Sequence, residues 1–543
     1  MQTTTAPTTV STNVTPRTKL IRRLGRSAIV AAATSTTIAV AAVPALAAPT
    51  IDRWTPPART HNADFVTTDV PWSDGVVTSA VIPAEQLPLS MVVESEVADR
   101  LGLDRIRQGI EGWNGIPGSR FGARVAGVVN TGARSAQNDG VHRVFVDGRC
   151  QGDELAWGYL NGIRAERRYG TNGSYTIDGD IGVCSRLLNS PDKTASTLRH
   201  ELGHLLGLGH IDASCRIMSA RHDSCESMTA GDHNAVRYLY STLPRLAGPT
   251  RTETAARTVY ATRPGANAVA TVVLADGFGG SALPVAAAAY AGAIDAPLLL
   301  GDASCTSGSV GTELRRVARP GATVALVGAA VAGCSTDVRS QGYKPVVLGD
   351  VAAVADQLAA ARRSDTLFVV RGPLGDGNLP DGLTAAAAAG RLGAPVLFTN
   401  GGQLASETTS FLNRHPLVRR AVIVGGEQAV PQSVVDELNR RGITSTRHGG
   451  QDRITTALAV ADIPGAFAPR SAVAVAATDK WADAISGSAI GAARGWPVLL
   501  TPPHELDGRV AGFLAHRATG GYILGGHAAV SDAVHIGASA QVR

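Results

Sequence analysis

Aromatic residues make up 4% and charged residues 17% of the 543-residue chain, against 44% apolar residues. Few rings and much Ala, Val and Gly point to closely packed layers of helix on sheet, over a length that exceeds one ordinary domain. Residues 1–47 contain no Asp or Glu but hold Arg17, Lys19, Arg22, Arg23 and Arg26. Without those five cations the remainder carries 45 basic and 45 acidic residues, so the formal net charge of +5 belongs to the leader. A near-neutral remainder gives no support for a nucleic-acid partner. Beyond the leader no stretch reaches the ~20 apolar residues of a spanning helix, so no transmembrane segment is expected in the mature chain. No pair of cysteines has the C-x-x-C spacing of a zinc ribbon. No G-x-G-x-x-G follows a β-run either; Gly277-Phe-Gly-Gly280 is the nearest approach, which argues against a dinucleotide site.

What is present begins with that leader. Its basic start, the apolar run Ala28–Val43 and the small-residue site Ala45-Leu46-Ala47 have the layout of a secretory signal peptide cleaved after Ala47. Export agrees with an even number of cysteines, six, for which 15 pairings exist. Neighbourhood favours Cys150–Cys184, Cys215–Cys225 and Cys305–Cys334.

The chemistry concentrates in Leu198-Arg-His-Glu-Leu-Gly-His-Leu-Leu-Gly-Leu-Gly-His210. His200 and His204, four apart, project from one face of a helix. Gly207 ends the helix, and His210 returns as a third imidazole. Three neutral imidazoles leave one position open on a zinc ion (Zn2+), as a catalytic site requires. Glu201 is placed to take a proton from a water on that metal, whose pKa falls to about 7.

H-E-x-x-H-x-x-G-x-x-H followed by Met218 resembles a metzincin zinc endopeptidase, nearest to the matrixin-like branch. The resemblance implies His200, His204 and His210 as zinc ligands, Glu201 as general base, and Met218 in a turn beneath the metal. It also implies a protein or peptide substrate, and an edge strand lining the cleft at Tyr175–Val183. Ile211 and Ser219-Ala220 depart from the family's usual Ser and Tyr-Pro, and bear on subsite preference. No Cys lies between Ala48 and Cys150, which excludes a cysteine-switch propeptide. Asp178 and Asp180 are candidates for calcium (Ca2+), with a hydrated Asp-Gly turn as the other reading. Asp212 stands two residues past the position that His210 fills.

Residues 48–63 read as a flexible lead-in and 64–242 as the metalloprotease domain, of α+β class. Within it, Val76–Ile82, Val125–Val129 and Val141–Val146 read as strands and Glu94–Asn114 as a helical stripe. Ser196 or Thr197 is the candidate cap of the metal helix. Ser241–Pro249 reads as a short polar link. From Arg245 onward the sequence repeats: Ala296-Pro-Leu-Leu-Leu-Gly-Asp302 recurs as Ala394-Pro-Val-Leu-Phe-Thr-Asn400 and Trp496-Pro-Val-Leu-Leu-Thr-Pro502, at offsets of 98 and 102. Ala-rich helical stretches alternate with short apolar β-runs ending in Gly, the pattern of an α/β parallel sheet. The three copies, 245–346, 347–446 and 447–543, are similar to cell wall binding repeats of type 2. That resemblance implies an anionic cell wall polymer as partner, held near Pro297, Leu298 and Leu299, Pro395, Val396 and Leu397, and Pro497, Val498 and Leu499. Buried strand ends are the other reading of those nine residues. The whole reads as a secreted zinc endopeptidase held at the cell wall. The alternatives are a hydrolase of peptidoglycan peptide cross-links and a wall-binding adhesion protein with an incidental metal site.

Overall fold

The computed structural model describes residues 57–62, 64–71, 76–150, 153–220, 227–263, 265–280, 282–372 and 379–543; the leader expected over 1–47 lies outside them. The described residues belong to one compact unit that starts at Ala48. In its N-terminal half, Val-rich runs form the strands Leu89–Glu94, Ala123–Val129 and Arg143–Val146, the first parallel to both others. Thr171–Val183 adds parallel to Arg143–Val146, and Ala156–Arg168 folds back antiparallel along its full length. Among the described residues the sheet therefore ends at Ala123–Val129 on one side and at Ala156–Arg168 on the other. This corrects the expectation for Tyr175–Val183, which has partners on both sides.

The stripe expected over Glu94–Asn114 is two helices, Ser95–Leu101 and Leu103–Ile110, broken at Gly102 with φ of +81°. Val97, Leu101, Ile106, Ile110 and Trp113 are fully buried, as the helical spacing requires. Gly109 lets this face close on the metal helix, Thr194–Leu205: a Cβ there would meet Leu198 Cβ at 2.8 Å. Neither expected cap serves that helix. It follows the turn Pro191–Lys193, Thr197 is buried, and Ser196 Oγ bonds back to the Lys193 carbonyl at 3.1 Å. Of the lead-in, Ala58 bridges to Thr78 and accepts the Tyr238 hydroxyl at 3.0 Å, so the segment after Pro57 is packed rather than free.

The C-terminal half is three helix–strand units closed into a ring. Each has a parallel sheet whose inner strands are Val269–Asp276, Thr366–Val370 and Ser471–Ala477, each beside a Pro-Leu strand. The strand that opens each unit lies in the sheet of another. Lys344–Leu348 completes the first sheet, Thr444–His448 the second, and Arg245–Leu246, the first strand of the ring, completes the third. Ser241–Pro249 is thus no loose link, since Arg245 and Leu246 are buried in that sheet. Each opening strand leads to a helix capped by a side chain, from Thr250, Asp350 or Asp452, a contact worth about 1 kcal/mol. At the centre the helices Ala282–Ala293, Pro380–Arg391 and Trp481–Arg494 pack through Ala and Gly. A Cβ on Gly390 would meet the Ala289 carbonyl oxygen at 2.6 Å and Ala492 Cβ at 2.7 Å.

The two halves are docked. A Cβ on Gly118 would meet the Ser539 carbonyl oxygen at 2.1 Å, and Ser241 Oγ lies 2.5 Å from Ser539 Oγ. His535, on the last helix, is buried beside Tyr238 with its Nε2 3.0 Å from the Leu243 carbonyl. Burial, seconded by the Arg245 charge, pushes its pKa down to about 3.

Two outcomes follow from this packing. Gly390→Val overfills the centre and should lower ring stability by about 1–3 kcal/mol in urea unfolding. Folded His535 stays neutral where the unfolded residue, with a pKa near 6.5, takes up a proton. Its contribution to stability is full above about pH 6.5 and is lost as pH falls toward 3. The melting temperature should therefore fall over that window, and less steeply in His535→Gln.

Candidate metal centre

The metal helix carries His200, Glu201 and His204 on its last two turns. His200 Nδ1 lies 2.6 Å from the Ile217 carbonyl and His204 Nδ1 2.8 Å from the Leu208 carbonyl. A carbonyl only accepts, so both Nδ1 atoms carry the proton and both Nε2 atoms present lone pairs. Those Nε2 atoms are 3.2 Å apart, and His210 Nε2 stands 3.1 Å from His200 Nε2 and 3.2 Å from His204 Nε2. Burial first, opposed by the Leu208 bond, takes the His204 pKa down to about 4, which keeps its ring neutral at ordinary pH.

Lone pairs facing one another at this distance repel unless a cation sits among them. Four-coordinate zinc, with nitrogens at about 2.0–2.1 Å, has N···N edges of about 3.3 Å, close to this triangle. The donor set fits zinc, with room for one further ligand. His200 is buried and His210 exposed, so the triangle opens on one side. Asp212 is exposed and outside the cluster.

Glycines make the arrangement possible. Gly207 has φ of +101°, and a Cβ there would meet the Ala80 carbonyl oxygen at 2.0 Å. From it the chain turns through Leu208, whose carbonyl orients His204, to His210. Beneath the helix, a Cβ on Gly203 would meet Met218 Sδ at 2.3 Å and Trp113 at 3.2 Å. Met218 is 3% exposed and holds the turn through its carbonyl, 2.9 Å from the Ile211 N–H. Above the helix lies Gly158 of the edge strand, where a Cβ would meet the Glu201 carbonyl oxygen at 2.9 Å and His204 Cβ at 3.3 Å. Burial pushes the Glu201 carboxyl up to about 8, and donation from the Gly158 N–H pulls the other way. A cation on the neighbouring imidazoles also favours the carboxylate. Gly158 and Gly203 were missed in the sequence; a Gly inside the strand pattern Trp157-Gly158-Tyr159 was the available signal of close backbone approach.

The other expected residues separate. Cys150–Cys184 and Cys305–Cys334 are disulfides, with S–S distances of 2.06 and 2.15 Å. Cys225 lies outside the described residues, and with it the pairing drawn for Cys215. Asp178 and Asp180 lie in a strand and are buried, so they form no hydrated turn. Asp178 accepts the backbone N–H groups of Asp139 and Gly140 at 2.7 Å, and Asp180 those of Gln137 and Arg143 at 2.9 Å. Their oxygens hold the 137–143 loop, and neither belongs to a metal-ligating group among the described residues.

Pro297, Leu298, Leu299, Pro395, Val396, Leu397, Pro497, Val498 and Leu499 are all buried. The three proline carbonyls accept from Val273, Phe368 and Ala474 of the adjacent strands at 3.0, 2.8 and 3.0 Å. Of the two readings for these nine residues, their burial accords with that of buried strand ends.

Comparison with known proteins bears on the C-terminal half. The family described as Cell wall binding domain 2 (CWB2) matches residues 348–435 and 447–535, in the second and third units. A curated relative, N-acetylmuramoyl-L-alanine amidase LytC of Bacillus subtilis (strain 168), is 27% identical over 163 residues, 30% of this chain. The chain spans about a third (32%) of that relative's length. Among solved structures, Cwp6 from Clostridium difficile is 22% identical over 55% of this chain and 48% of its own, with a TM-score of 0.47. Cwp8 from Clostridium difficile is 17% identical over 73% and 61%, with a TM-score of 0.48.

Gly207→Ala strains the turn that brings His210 back. If the cluster holds zinc, the zinc per chain of the variant, measured by atomic absorption after gel filtration, should be well below half that of the parent. The matched repeats make this chain a secreted, cell-wall-associated protein.

Proposed function

We propose that the protein is a zinc-dependent endopeptidase working at the cell wall. The observation that carries the reading is the triangle of three Nε2 atoms, each 3.1–3.2 Å from the others, with Glu201 in the same helix. His200, His204 and His210 would hold the metal. When bound, zinc supplies an acidified water and polarises the scissile carbonyl. Glu201, buried and raised in pKa, is suited to take a proton from that water and return it to the leaving amine. The edge strand Ala156–Arg168, free on its outer side and pressed against the helix at Gly158, offers an extended peptide a row of backbone partners. A sheet, two helices and a following metal helix support the metzincin reading.

The ring's ligand in this reading is an anionic wall polymer. With the nine strand-start residues buried, its contacts belong at surface groups. Arg371, Thr399 and Asn400 line a cavity of about 720 Å³ at the carboxyl ends of the second sheet's strands, where ligands of open parallel sheets lie. A second reading is cleavage of peptidoglycan peptide cross-links, which attachment to the wall through the matched repeats would suit.

One comparison decides between them. The chain from Ala48 and its Glu201→Ala variant should both bind zinc, and only the former should cleave a denatured protein. The loss should be at least about 1,000-fold in kcat/KM. Cleavage of purified peptidoglycan in place of protein would establish the second reading, and a chain that takes up no zinc would refute both.

A further inference from the structure

The hairpin that carries the free edge turns through Tyr169 and Gly170 alone, with Arg168 paired to Thr171 across it. Both turn residues have positive φ, +49° and +68°, the geometry of a type I′ turn. Asn-Gly suits such a turn, and a bulky side chain in the left-handed region is disfavoured. Turn propensity therefore does not explain Tyr169, and neither does solvent, since the residue is 5% exposed.

Its ring is part of the core of the first wall-binding unit, with Val259, Leu314 and Val317. The Tyr169 hydroxyl donates to the buried carboxylate of Glu313, which also accepts from Arg316 Nε at 2.8 Å. Tyr260 meets the Tyr169 ring edge-on, centroids 5.7 Å apart, and the Arg257 guanidinium lies 5.4 Å from that ring while donating to the Arg168 carbonyl. A Cβ on Gly170 would meet Glu253 Oε1 at 2.7 Å and Pro249 Cδ at 2.9 Å. At its other end the same strand presses Gly158 against the metal helix. At about 3.4 Å per residue, the strand carries this link over roughly 34 Å. It has register breaks on either side of Gly162 and a partner on one side only, so little of its own resists twisting.

We propose that Tyr169 is a positioning residue: seated in the first wall-binding unit, it sets the lie of the edge strand Ala156–Arg168, so that the ring is a structural part of the peptide cleft and not a tether alone. The role in the cleft rests on the endopeptidase reading.

The test uses the full secreted chain with Tyr169→Asn, which suits the turn but empties the socket, and Tyr169→Phe, which keeps the ring. In Tyr169→Asn, amide exchange along Ala156–Arg168 should rise about tenfold or more, a local loosening. KM for an extended peptide should rise about fivefold, with kcat and zinc content kept, and Tyr169→Phe should restore most of both. Unchanged exchange in Tyr169→Asn overturns the proposal, as does raised exchange with unchanged KM. A parent chain that binds zinc yet cleaves no peptide overturns the endopeptidase reading, and the exchange comparison then upholds or overturns the positioning role by itself.

Discussion

Three imidazole Nε2 atoms held within 3.2 Å of one another, with the lone pairs of His200 and His204 turned inward, are the constraint to which the N-terminal half is fitted. Left to themselves, neutral rings would turn away. They are prevented by two carbonyls, Ile217 and Leu208, which come from the segment after the helix and therefore require the chain to double back beneath it. Doubling back is sterically feasible only because Gly207 takes a positive φ against the Ala80 carbonyl and because Gly203 leaves space for Met218. The ligands, the tautomers and the local core are thus one piece of geometry. A cation held there would relieve the repulsion that this geometry imposes.

The ring has a comparable dependence on closure. Its first strand, Arg245–Leu246, leaves the N-terminal half and enters the third sheet, so the ring cannot close without the residues that connect the two halves. Arg245 reinforces the junction through the Gly525 carbonyl at 2.8 Å and Asp532 at 3.2 Å. With Ser539 against Gly118 and Tyr169 in the first unit, the N-terminal half meets the ring at separate places along the chain. Wall attachment and the candidate metal centre are therefore held in one orientation, which a flexible linker would not provide.

What was legible in the sequence follows from how local each determinant is. The clustering of His200, His204 and His210 could be read because a helix turn and a glycine bend, both local in sequence, bring the three rings together. The repeats could be read because their copies keep register over offsets near 100. The edge strand could not, since Ala156–Arg168 and Thr171–Val183 are both long and mixed in polarity. What sends the second inside is that Asp178 and Asp180 find backbone donors around residues 137–143, a pairing no periodicity reveals. The recurrence of the Pro-Leu segments is open to two readings in sequence, a shared ligand or a shared strand pairing, and the pairing of all three with the inner strands accords with the second. Tyr169 was missed because Tyr-Gly is not a usual hairpin signal, and its reason lies about 90 to 150 residues downstream, at Arg257 and Glu313.

The scarcity of aromatic rings has its own logic. Between the ring's central helices, contact is made largely by Ala and Gly. Around the metal helix, rings fill a gap and satisfy a backbone group at once. Trp113 fills the space beneath Gly203 and donates its indole N–H to the Arg199 carbonyl of the metal helix at 2.9 Å. Tyr240 donates to the Leu206 carbonyl at that helix's end at 2.8 Å and accepts the Ile82 N–H at 2.9 Å, while its face meets Phe121. An aliphatic residue in place of Tyr240 would fill the space but take away the acceptor of the buried Ile82 N–H, which costs about 1–3 kcal/mol. Tyr169 in turn donates to Glu313. Trp113, Tyr240 and Tyr169 thus sit where secondary structure alone cannot hold the metal helix to its sheet, or the sheet's hairpin to the first C-terminal unit.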